Sequence, residues 1–525
     1  MTDNRFRRLP VGIQSFKVIR EENYLYVDKS DIVWNMVNIG DKYNYLSRPR
    51  RFGKSVLVDT LESYLEGRKD LFEGLKIMQL EKDWKQYPVI RLDMSRGGAN
   101  EDTLRSYLNL RFKDYEEKYN ITPDPTAMLA DRFHAIIATA YKQTGLRVAV
   151  LIDEYDSPLQ HSWRTPEHEK CTCLYREVFA ILKADDEYEH FIFITGITKF
   201  TQISLFSVLN NLSNISFMPE YAAICGITEE EIKENFMPEL KQMSEANNWS
   251  VQETHDRLKA YYDGYHFSRR NMVDVYNPYS LVNALKSKEI INFWASSGAT
   301  SLLPKFVDNA ELRLSKFENC SVMRNTLELS DVSGGSAELF LYQSGYLTIK
   351  ESDEFGYILG FPNEEVKQAL YETVLPALAM RSENEIQSLQ ACLYRELGTG
   401  QIDEAMKSLK ALIADVPYSN KKLASMDMEE RYRLIISTIL NAIGLNVEVE
   451  KMISTGRIDM TVKTSRYIYV IELKLRNNGG KEAATEQILN RQYMEPFKAD
   501  KRKVIGLGIE LDEEGKGLLD WKRVE

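Results

Sequence analysis

The residues best suited to phosphate chemistry lie in the run SRPRRFGKS (47–55), between a short apolar segment and a helical pattern. A tight turn at a helix N-terminus points backbone N–H groups at anionic oxygens, and the helix dipole adds favourable potential. Gly53 allows close backbone approach, Lys54 suits the β- and γ-phosphates, and the Ser55 hydroxyl suits a Mg²⁺ shell. The run therefore predicts a site for a nucleoside triphosphate with Mg²⁺.

This loop lacks the first glycine of the usual G-x-x-x-x-G-K-[ST] pattern, because Arg48 stands in its place. Arginine pairs well with phosphate oxygens, so Arg48, Arg50 and Arg51 are expected to contribute to binding. We include Phe52 in the same nucleotide-binding loop. Since Gly-Lys-Ser is common by chance, the prediction needs support from a second element.

That support comes from the apolar run 148–152, which leads directly into Asp153 and Glu154. We assign Asp153 to hold Mg²⁺ through water and Glu154 to polarise an attacking water, with a solvated strand end as the plain alternative. Thr195 and Thr198 end the next apolar run. Their hydroxyls are candidates to sense the γ-phosphate, and a simple turn role is equally open.

A second set of chemistry-bearing residues lies near the C-terminus, in GRID (456–459) and IELK (471–474). Residues two apart on a strand share a face, so Glu472 and Lys474 are expected to project together. A hairpin would bring Asp459 alongside them. Hard carboxylate oxygens suit Mg²⁺ or Mn²⁺, which lowers the pKa of a bound water and stabilises transition-state charge. We assign the metal to Asp459 and Glu472 and water activation to Lys474.

Neighbouring polar residues extend this second site. Gln487 and Arg491 are four apart on the helical pattern that follows, so they are expected to share a face. We assign Gln487 to support the site, whereas a solvated helix face is an equal alternative for Arg491. Glu450 is a further candidate carboxylate, and Glu448 on the same strand competes with it.

The elements that must position these residues follow two patterns. Short apolar runs alternate with helical stretches from residue 43 to about 213, which predicts a parallel sheet covered on both faces. The C-terminal section predicts a helix, a strand hairpin, a second helix and another strand, after a connector at 415–427. We therefore predict three domains, at 1–225, 226–415 and 416–525.

Composition limits the function classes. The 525 residues are 43% hydrophobic and 28% charged, which is typical of globular proteins and excludes a disordered chain. There is neither an apolar run of bilayer length nor a signal-peptide pattern, so we expect a cytoplasmic protein without a membrane partner. The net charge is −11, but the last 105 residues carry +2, which leaves room for phosphate binding there.

At these residues the sequence resembles a prokaryotic family that joins an AAA-ATPase-like domain to a C-terminal PD-(D/E)xK nuclease-like domain. Nearly the whole chain shares the resemblance. It is carried by LPVGIQSF (9–16), YVDKS (26–30), SRPRRFGKS (47–55), LIDEYDSPL (151–159), YDGYHF (262–267), YNPYSL (276–281), SGYLTI (344–349), GRID (456–459), IELK (471–474) and QILNRQY (487–493). One departure is Tyr432-Arg433-Leu434, where the family's first nuclease helix is expected to carry a Tyr-His pair.

The resemblance implies an α/β fold with three parts. They are an N-terminal P-loop parallel sheet of the AAA-like, additional-strand type, a helical and mixed middle region, and a C-terminal restriction-endonuclease-like α/β domain. It also implies that the acidic strand ending at Glu154 lies next to the strand of the phosphate loop. Tyr26, Asp28 and Lys29 are expected to have a structural role beside that loop.

Two functions from different classes remain open. The first is an ATPase with Mg²⁺-dependent cleavage of nucleic acid in the C-terminal domain, coupled to ATP binding. The second is a nucleotide-switch regulator whose nuclease-like domain only binds a protein partner or nucleic acid. The acidic balance of the first 420 residues favours the second. A homo-oligomer is possible in either case. Aromatic residues at 261–279 could stack bases, although core packing suits them better.

Overall fold

The computed structural model describes residues 8–124, 126–199, 211–295, 317–328, 336–379, 383–414 and 427–525, with side chains described outside 374–388. These residues divide into two compact units. The first takes in the described residues up to 295 together with those of Asn319–Asn363, and the second takes in residues 317–318 together with the described residues of Glu364–Glu525. The division at 225 and 415 stays a prediction, and the connector expected at 415–427 lies, except for Asp427, outside the described residues.

A five-stranded parallel sheet forms the centre of the first unit. Its strands are β1 (Tyr43–Ser47), β2 (Val89–Asp93), β3 (Val148–Asp153), β4 (Glu189–Gly196) and β5 (Ser213–Asn214). They lie in the order β2-β3-β4-β1-β5, and all four pairings are parallel. The predicted parallel sheet is thus confirmed, since the apolar runs that form β1 to β4 are buried between helices.

The position of the acidic strand differs from the expectation. Strand β4 lies between β1 and β3 and pairs with both, through Ile192 with Tyr43 and with Val150. The expectation that the strand ending at Glu154 lies next to the phosphate-loop strand is therefore wrong. The additional-strand type of sheet is confirmed, because β4 is that strand. Parallel strands are spaced by about 4.8 Å, so the carboxyl ends of β1 and β3 lie only about 10 Å apart.

Helices cover both faces of this sheet. One face is packed by long helices whose apolar side chains, such as Leu104, Phe112, Phe133 and Val178, interlock with the strands. The α-helices around the sheet are Phe16–Glu21, Ser30–Asn38, Lys54–Leu65, Ile77–Leu80, Glu101–Lys118, Leu129–Thr144, Ser157–Ser162, Glu167–Phe179 and Ile181–Ala184.

The middle of the chain adds helices and short strands to the first unit. Its α-helices are Glu229–Asn235, Met237–Asn247, Val251–Tyr262, Pro278–Ser287, Arg324–Glu328 and Ala337–Ser344, and its strands are β6 (Ile227–Thr228), β7 (Val275–Tyr276), β8 (Cys320–Met323), β9 (Thr348–Ser352) and β10 (Gly356–Gly360). A capping box of Thr228 and Glu231, with reciprocal side-chain to backbone hydrogen bonds, begins the helix Glu229–Asn235.

The second unit is built around a mixed five-stranded sheet. Its strands are β11 (Asn446–Ile453), β12 (Gly456–Lys463), β13 (Tyr467–Leu475), β14 (Lys503–Leu511) and β15 (Leu518–Val524), in sequence order across the sheet. Only β13 and β14 are parallel, because the helix Gly480–Asn490 crosses between them. The other α-helices are Glu364–Ala379, Glu383–Thr399, Ile402–Ala414 and Met428–Ala442. The predicted hairpin of β12 and β13 is confirmed, whereas β15 was not expected.

Among the described residues, none of the helices combines the length and apolar character that a bilayer crossing requires.

The buried carboxyl of Asp263 gives the first unit a pH-dependent stability. Burial raises its pKa to about 7, whereas an unfolded aspartate titrates near ~3.9. The stabilisation by the protonated form is present below the unfolded pKa and is lost as the pH rises through about 7. Asp263→Asn cannot ionise, so its melting temperature should exceed that of the wild type by about 4–8 °C at pH 8. Thermal unfolding by circular dichroism measures this difference.

The difference in melting temperature between Asp263→Asn and the wild type should grow between pH 4 and pH 7 and level off above pH 7. Asp256→Asn, at an exposed position of the same helix, is the matched control and should change little. A variant that melts below the wild type at pH 8 would contradict the assignment.

Candidate active sites

The phosphate loop is a tight turn between β1 and the helix Lys54–Leu65. Gly53 has φ 85° and Arg51 has φ 68°, so two residues of the turn are left-handed. Glycine adopts this conformation at no steric cost, whereas arginine is strained by about 1–2 kcal/mol. The turn brings the start of the helix to the edge of the sheet where β1 and β3 end.

Lys54 is buried between this loop and the acidic strand end. Its ammonium donates hydrogen bonds to the backbone oxygens of Arg48 and Pro49, at 2.9 Å each. Burial lowers its pKa, and Glu154 and Asp153 oppose that shift. Burial disfavours the charged form of Asp153 as well and so raises its pKa. The hydrogen bond with Ser55 and the charge of Lys54 oppose this rise. The structure thus gathers the predicted Lys54, Ser55 and Asp153 at one place.

Glu154 follows Asp153 in a left-handed conformation, with φ 48°. Burial raises the pKa of its carboxyl, and Lys54 lowers it. Asp93, which ends β2 directly opposite Asp153, adds negative charge to both carboxylates. Sequence reasoning missed Asp93, although it too follows a buried apolar strand and could have been found by that signal.

Arg48 does not face the phosphate position. Arg48 as a whole is 1% exposed, and its guanidinium donates to the backbone oxygens of Ser47, Ser216 and Tyr221 at 2.8–2.9 Å. The expectation that Arg48 pairs with phosphate is therefore wrong, because backbone acceptors already hold the guanidinium inside the protein. It also lies over the ring of Phe267, 4.1 Å from the centroid.

Aromatic residues of the middle region pack against the phosphate loop. Phe52 is buried and contacts the rings of Tyr265 and Phe267, with centroids 4.7 and 5.4 Å away. A Cβ at Gly345 would lie 2.6 Å from Pro49 Cβ, so the loop approaches that glycine closely. The aromatic run at 261–279 accordingly serves packing in this structure. Arg51 lies over the ring of Tyr279 on the other side of the loop.

Asp156, at the end of LIDEYD, organises the neighbouring strand end. One carboxylate oxygen accepts from the backbone N–H groups of Ile197 and Thr198, the hydroxyl of Thr198 and the amide of Gln160, at 2.6–3.0 Å. Thr198 is thus turned into this buried network. Thr195 donates to the backbone oxygen of Leu46. These contacts suit the turn role that the sequence left open for both threonines.

The loop opens on a cavity of about 510 Å³ within the first unit. This volume lies in the range of small-molecule sites. Polar groups line it, among them loop residues, Glu154, Ser157 and His161, and so do the apolar side chains of Val11, Leu25, Ile224, Ile227, Phe236 and Val282. Tyr26 and Lys29 line it as well, and Lys29 is fixed by an ion pair with Glu231 at 2.6 Å.

The second site is formed by the hairpin of β12 and β13. Asp459 Oδ2 accepts from the backbone N–H of Leu473 at 2.9 Å, and Glu472 Oε2 lies 3.5 Å from the backbone nitrogen of Asp459. Both carboxylates are buried. Burial raises the pKa of Glu472, and the charge of Asp459 raises it further. Two carboxylates are thus held together where a cation would relieve their repulsion.

Lys474 and Gln487 complete the predicted set. The Lys474 ammonium lies 3.7 Å from Glu472 Oε1. Gln487 donates to that same oxygen and lies 3.3 Å from the hydroxyl of Tyr493. Arg491 is directed elsewhere, toward the backbone oxygen of Thr455 at 3.4 Å.

The helix Met428–Ala442 contributes two residues that sequence reasoning missed. Glu429 lies 3.9 Å from the Lys474 ammonium and accepts from the backbone N–H of Leu475. One turn later, Arg433 contacts Asp459 and Glu450, each at 3.1 Å. Their four-residue spacing shows that they share a helix face, but not that this face contacts the carboxylates.

The two competing carboxylates of β11 differ in their surroundings. Glu450 has φ 52° and pairs with Arg433 and with Arg457. Glu448 is instead paired with Lys451 and Lys463. Glu450 is therefore the one linked to Asp459, through Arg433, a choice that the sequence left open.

The donor chemistry of the second site fits Mg²⁺. Within the described residues no group of three or more His, Cys, Asp and Glu side chains is arranged to hold a metal ion. Mg²⁺, however, takes one or two carboxylates and keeps several waters. Asp459 and Glu472 supply such a pair, and Ser55 with Asp153 supplies hard oxygen donors in the first unit.

The fold and these two sites define a P-loop α/β protein with a nuclease-like second unit, and comparison with known proteins agrees. Residues 10–206 match a model described as predicted AAA-ATPase, and residues 427–521 match the PD-(D/E)XK nuclease superfamily. An uncharacterized protein in the vnfD 5′ region of Azotobacter chroococcum mcd 1 is 31% identical over 533 residues, which cover 98% of either chain.

The chain therefore belongs to the family that joins a predicted AAA-ATPase domain to a PD-(D/E)XK nuclease superfamily domain. The suspected resemblance is confirmed. Among solved structures, the Aeropyrum pernix ORC2 protein (ADPNP-ADP complexes) is similar over 72% of this chain and 98% of that chain, at 13% identity and a TM-score of 0.28.

The buried guanidinium of Arg48 gives a test of how the loop is held. Arg48→Lys keeps the charge but puts all its donors on one nitrogen, which cannot reproduce the two-nitrogen fork that reaches these carbonyl groups, so unpaired acceptors should destabilise the first unit by about 2–4 kcal/mol. Arg51→Lys, at an exposed position of the same loop, is the control and should cost far less. Thermal unfolding compares the two, and equal melting temperatures would show that Arg48 does not hold the loop.

Proposed function

We propose that this protein binds ATP with Mg²⁺ in the first unit and cleaves nucleic acid phosphodiesters with Mg²⁺ in the second, with nucleotide binding controlling cleavage. The observation that carries the proposal is the hairpin of β12 and β13, which gathers Asp459 and Glu472 beside Lys474 and Gln487. Cytoplasmic location and self-association are part of the same proposal.

In the second unit, Asp459 and Glu472 would hold Mg²⁺, which lowers the pKa of water and stabilises charge on the phosphate. Lys474, next to Glu472, would orient the attacking water by donating a hydrogen bond. Gln487 would keep the Glu472 carboxylate in place, because it donates to the oxygen nearest Lys474.

In the first unit, the backbone N–H groups of the loop and the cations Arg50, Arg51 and Lys54 would bind the phosphates. Ser55 and Asp153 would hold Mg²⁺, and Glu154 would position water. Lys54 must then exchange its contacts with the carbonyls of Arg48 and Pro49 for phosphate oxygens. Phe52 would fix the loop through its aromatic contacts, and Thr198 would respond to the γ-phosphate through the strand end held by Asp156.

The lining of the cavity supports a bound nucleotide. Basic groups of the loop and aliphatic side chains both line the 510 Å³ space. This combination matches a molecule with a charged phosphate tail and a flat apolar base.

The switch function remains the second candidate because of one contact. Arg433 already pairs with Asp459 at 3.1 Å, so the carboxylate that would bind metal has an internal counter-ion. A domain that binds nucleic acid or a protein partner without cleaving needs no metal at Asp459. Cleavage of plasmid or RNA at high Mg²⁺ or Mn²⁺ separates the two functions.

Substitution of the hairpin residues tests cleavage directly. Asp459→Asn and Lys474→Ala should each lower the cleavage rate by about 100-fold or more, because they remove a metal ligand and the group that orients water. Glu448→Gln, a carboxylate of the same sheet paired with Lys451 and Lys463, should leave the rate unchanged. Supercoiled plasmid, linear duplex, single strands and RNA are assayed with Mg²⁺ and Mn²⁺. Activity that survives both site substitutions would rule out this site.

Nucleotide binding is tested at Lys54. Lys54→Ala should weaken binding of a fluorescent ATP analogue by about 10-fold or more, since it removes a buried charge facing the phosphates, whereas Lys69→Ala at an exposed position should not. If nucleotide controls cleavage, ATP should change the cleavage rate of the wild type and of Lys69→Ala but not of Lys54→Ala. Equal ATP effects in all three would exclude the control step.

A further inference from the structure

Arg433 holds a distinctive position among the cations of the second site. One guanidinium nitrogen lies 3.1 Å from Asp459 Oδ1, and the other lies 3.1 Å from Glu450 Oε1. Only 15% of its side chain is exposed. The Lys474 ammonium lies farther from its own carboxylate neighbours, at 3.7 Å from Glu472 and 3.9 Å from Glu429. Arg433 therefore bridges two strands through their carboxylates.

The oxygen that Arg433 occupies matters for metal binding. Asp459 Oδ2 accepts a hydrogen bond from the backbone N–H of Leu473, which orients the carboxylate. Oδ1 is paired with Arg433. A divalent ion at Oδ1 would have to displace the guanidinium, whose positive charge also repels a cation bound nearby.

We infer that Arg433 is a resident counter-ion that competes with the divalent cation for Asp459 and thereby sets a high metal requirement for the second site. This inference rests on the metal site of the proposed function and concerns its regulation. When the metal is absent, the guanidinium pairs with the buried carboxylate of Asp459 and with Glu450, whose side chain is 41% exposed. When the metal binds, the guanidinium must leave Oδ1 while keeping Glu450.

The left-handed backbone at Glu450 supports this arrangement. Its φ of 52° is unfavourable for a residue with a side chain and is retained where surrounding contacts compensate for it. Glu450 forms ion pairs with Arg433 and Arg457, each at 3.1 Å. Glu450 thus offers the guanidinium a second carboxylate, so that displacement from Asp459 does not leave a buried charge unpaired.

Mn²⁺ binding to the full chain without nucleotide tests the inference, with free Mn²⁺ measured by electron paramagnetic resonance. Arg433→Gln should tighten Mn²⁺ binding by about 10-fold, because a positive charge beside the ligand oxygen is removed. Adding Asp459→Asn to Arg433→Gln should abolish the gain and so assign the bound ion to this site. Arg433→Lys has a single ammonium that cannot bridge both carboxylates, so its Mn²⁺ affinity should increase by a smaller factor. It replaces Arg433→Gln as the test variant if the glutamine variant does not fold.

Arg457→Gln is the matched control, because Arg457 contacts Glu450 but not Asp459 and its side chain is more exposed. It should change Mn²⁺ affinity by less than twofold. Unchanged, weaker or undetectable Mn²⁺ binding in the folded Arg433 variants would overturn the inference. Cleavage assays distinguish the two proposals. If Arg433→Gln binds Mn²⁺ more tightly but the protein does not cleave nucleic acid, the counter-ion role stands and the nuclease function is refuted. If the protein cleaves in an Asp459-dependent way but Arg433→Gln leaves Mn²⁺ affinity unchanged, the nuclease function stands and the counter-ion role is refuted.

Discussion

Both sites depend on the same constraint, which is that a charge taken out of water needs a partner inside the protein. In the first unit, Arg48 and Lys54 use backbone carbonyls as partners, and Asp156 uses backbone N–H groups. In the second unit, Asp459 uses a backbone N–H and the guanidinium of Arg433. These partners fix each charged group in one orientation, so the chemistry of each site is positioned before any ligand arrives.

The sheets could be predicted from the sequence because a buried parallel strand leaves a short apolar run that no surface helix produces. The order of the strands could not be predicted, because the same apolar runs are compatible with β3 next to β1 and with β3 separated from it. Only the three-dimensional packing places β4 between them. Strand β15 was missed for a related reason. Its outer position at the edge of the sheet gives LLDWKRV a half-polar pattern with little apolar character.

The candidate sites were predictable where neighbours in sequence are neighbours in space. A hairpin links GRID to IELK, so Asp459, Glu472 and Lys474 could be grouped from local rules alone. Arg433 reaches the same carboxylates from a separate helix, and no local rule shows that a helix 26 residues earlier points at them. The prediction for Arg48 was wrong for the opposite reason. An arginine in a phosphate loop indicates an anionic partner by local rules, but in the fold its guanidinium is buried and donates to three backbone carbonyl groups.

The arginine at the first position of the loop changes how the turn is stabilised. A glycine at this place would let the backbone bend freely, and the bound phosphate would then have to order the turn. Here the Arg48 guanidinium ties the loop to residues 216 and 221, and the Phe52 ring anchors it on Tyr265 and Phe267. Side chains therefore supply an order that glycine could not, at the cost of strain at Arg51. A loop ordered in advance loses less conformational entropy on binding, which compensates for the missing flexibility.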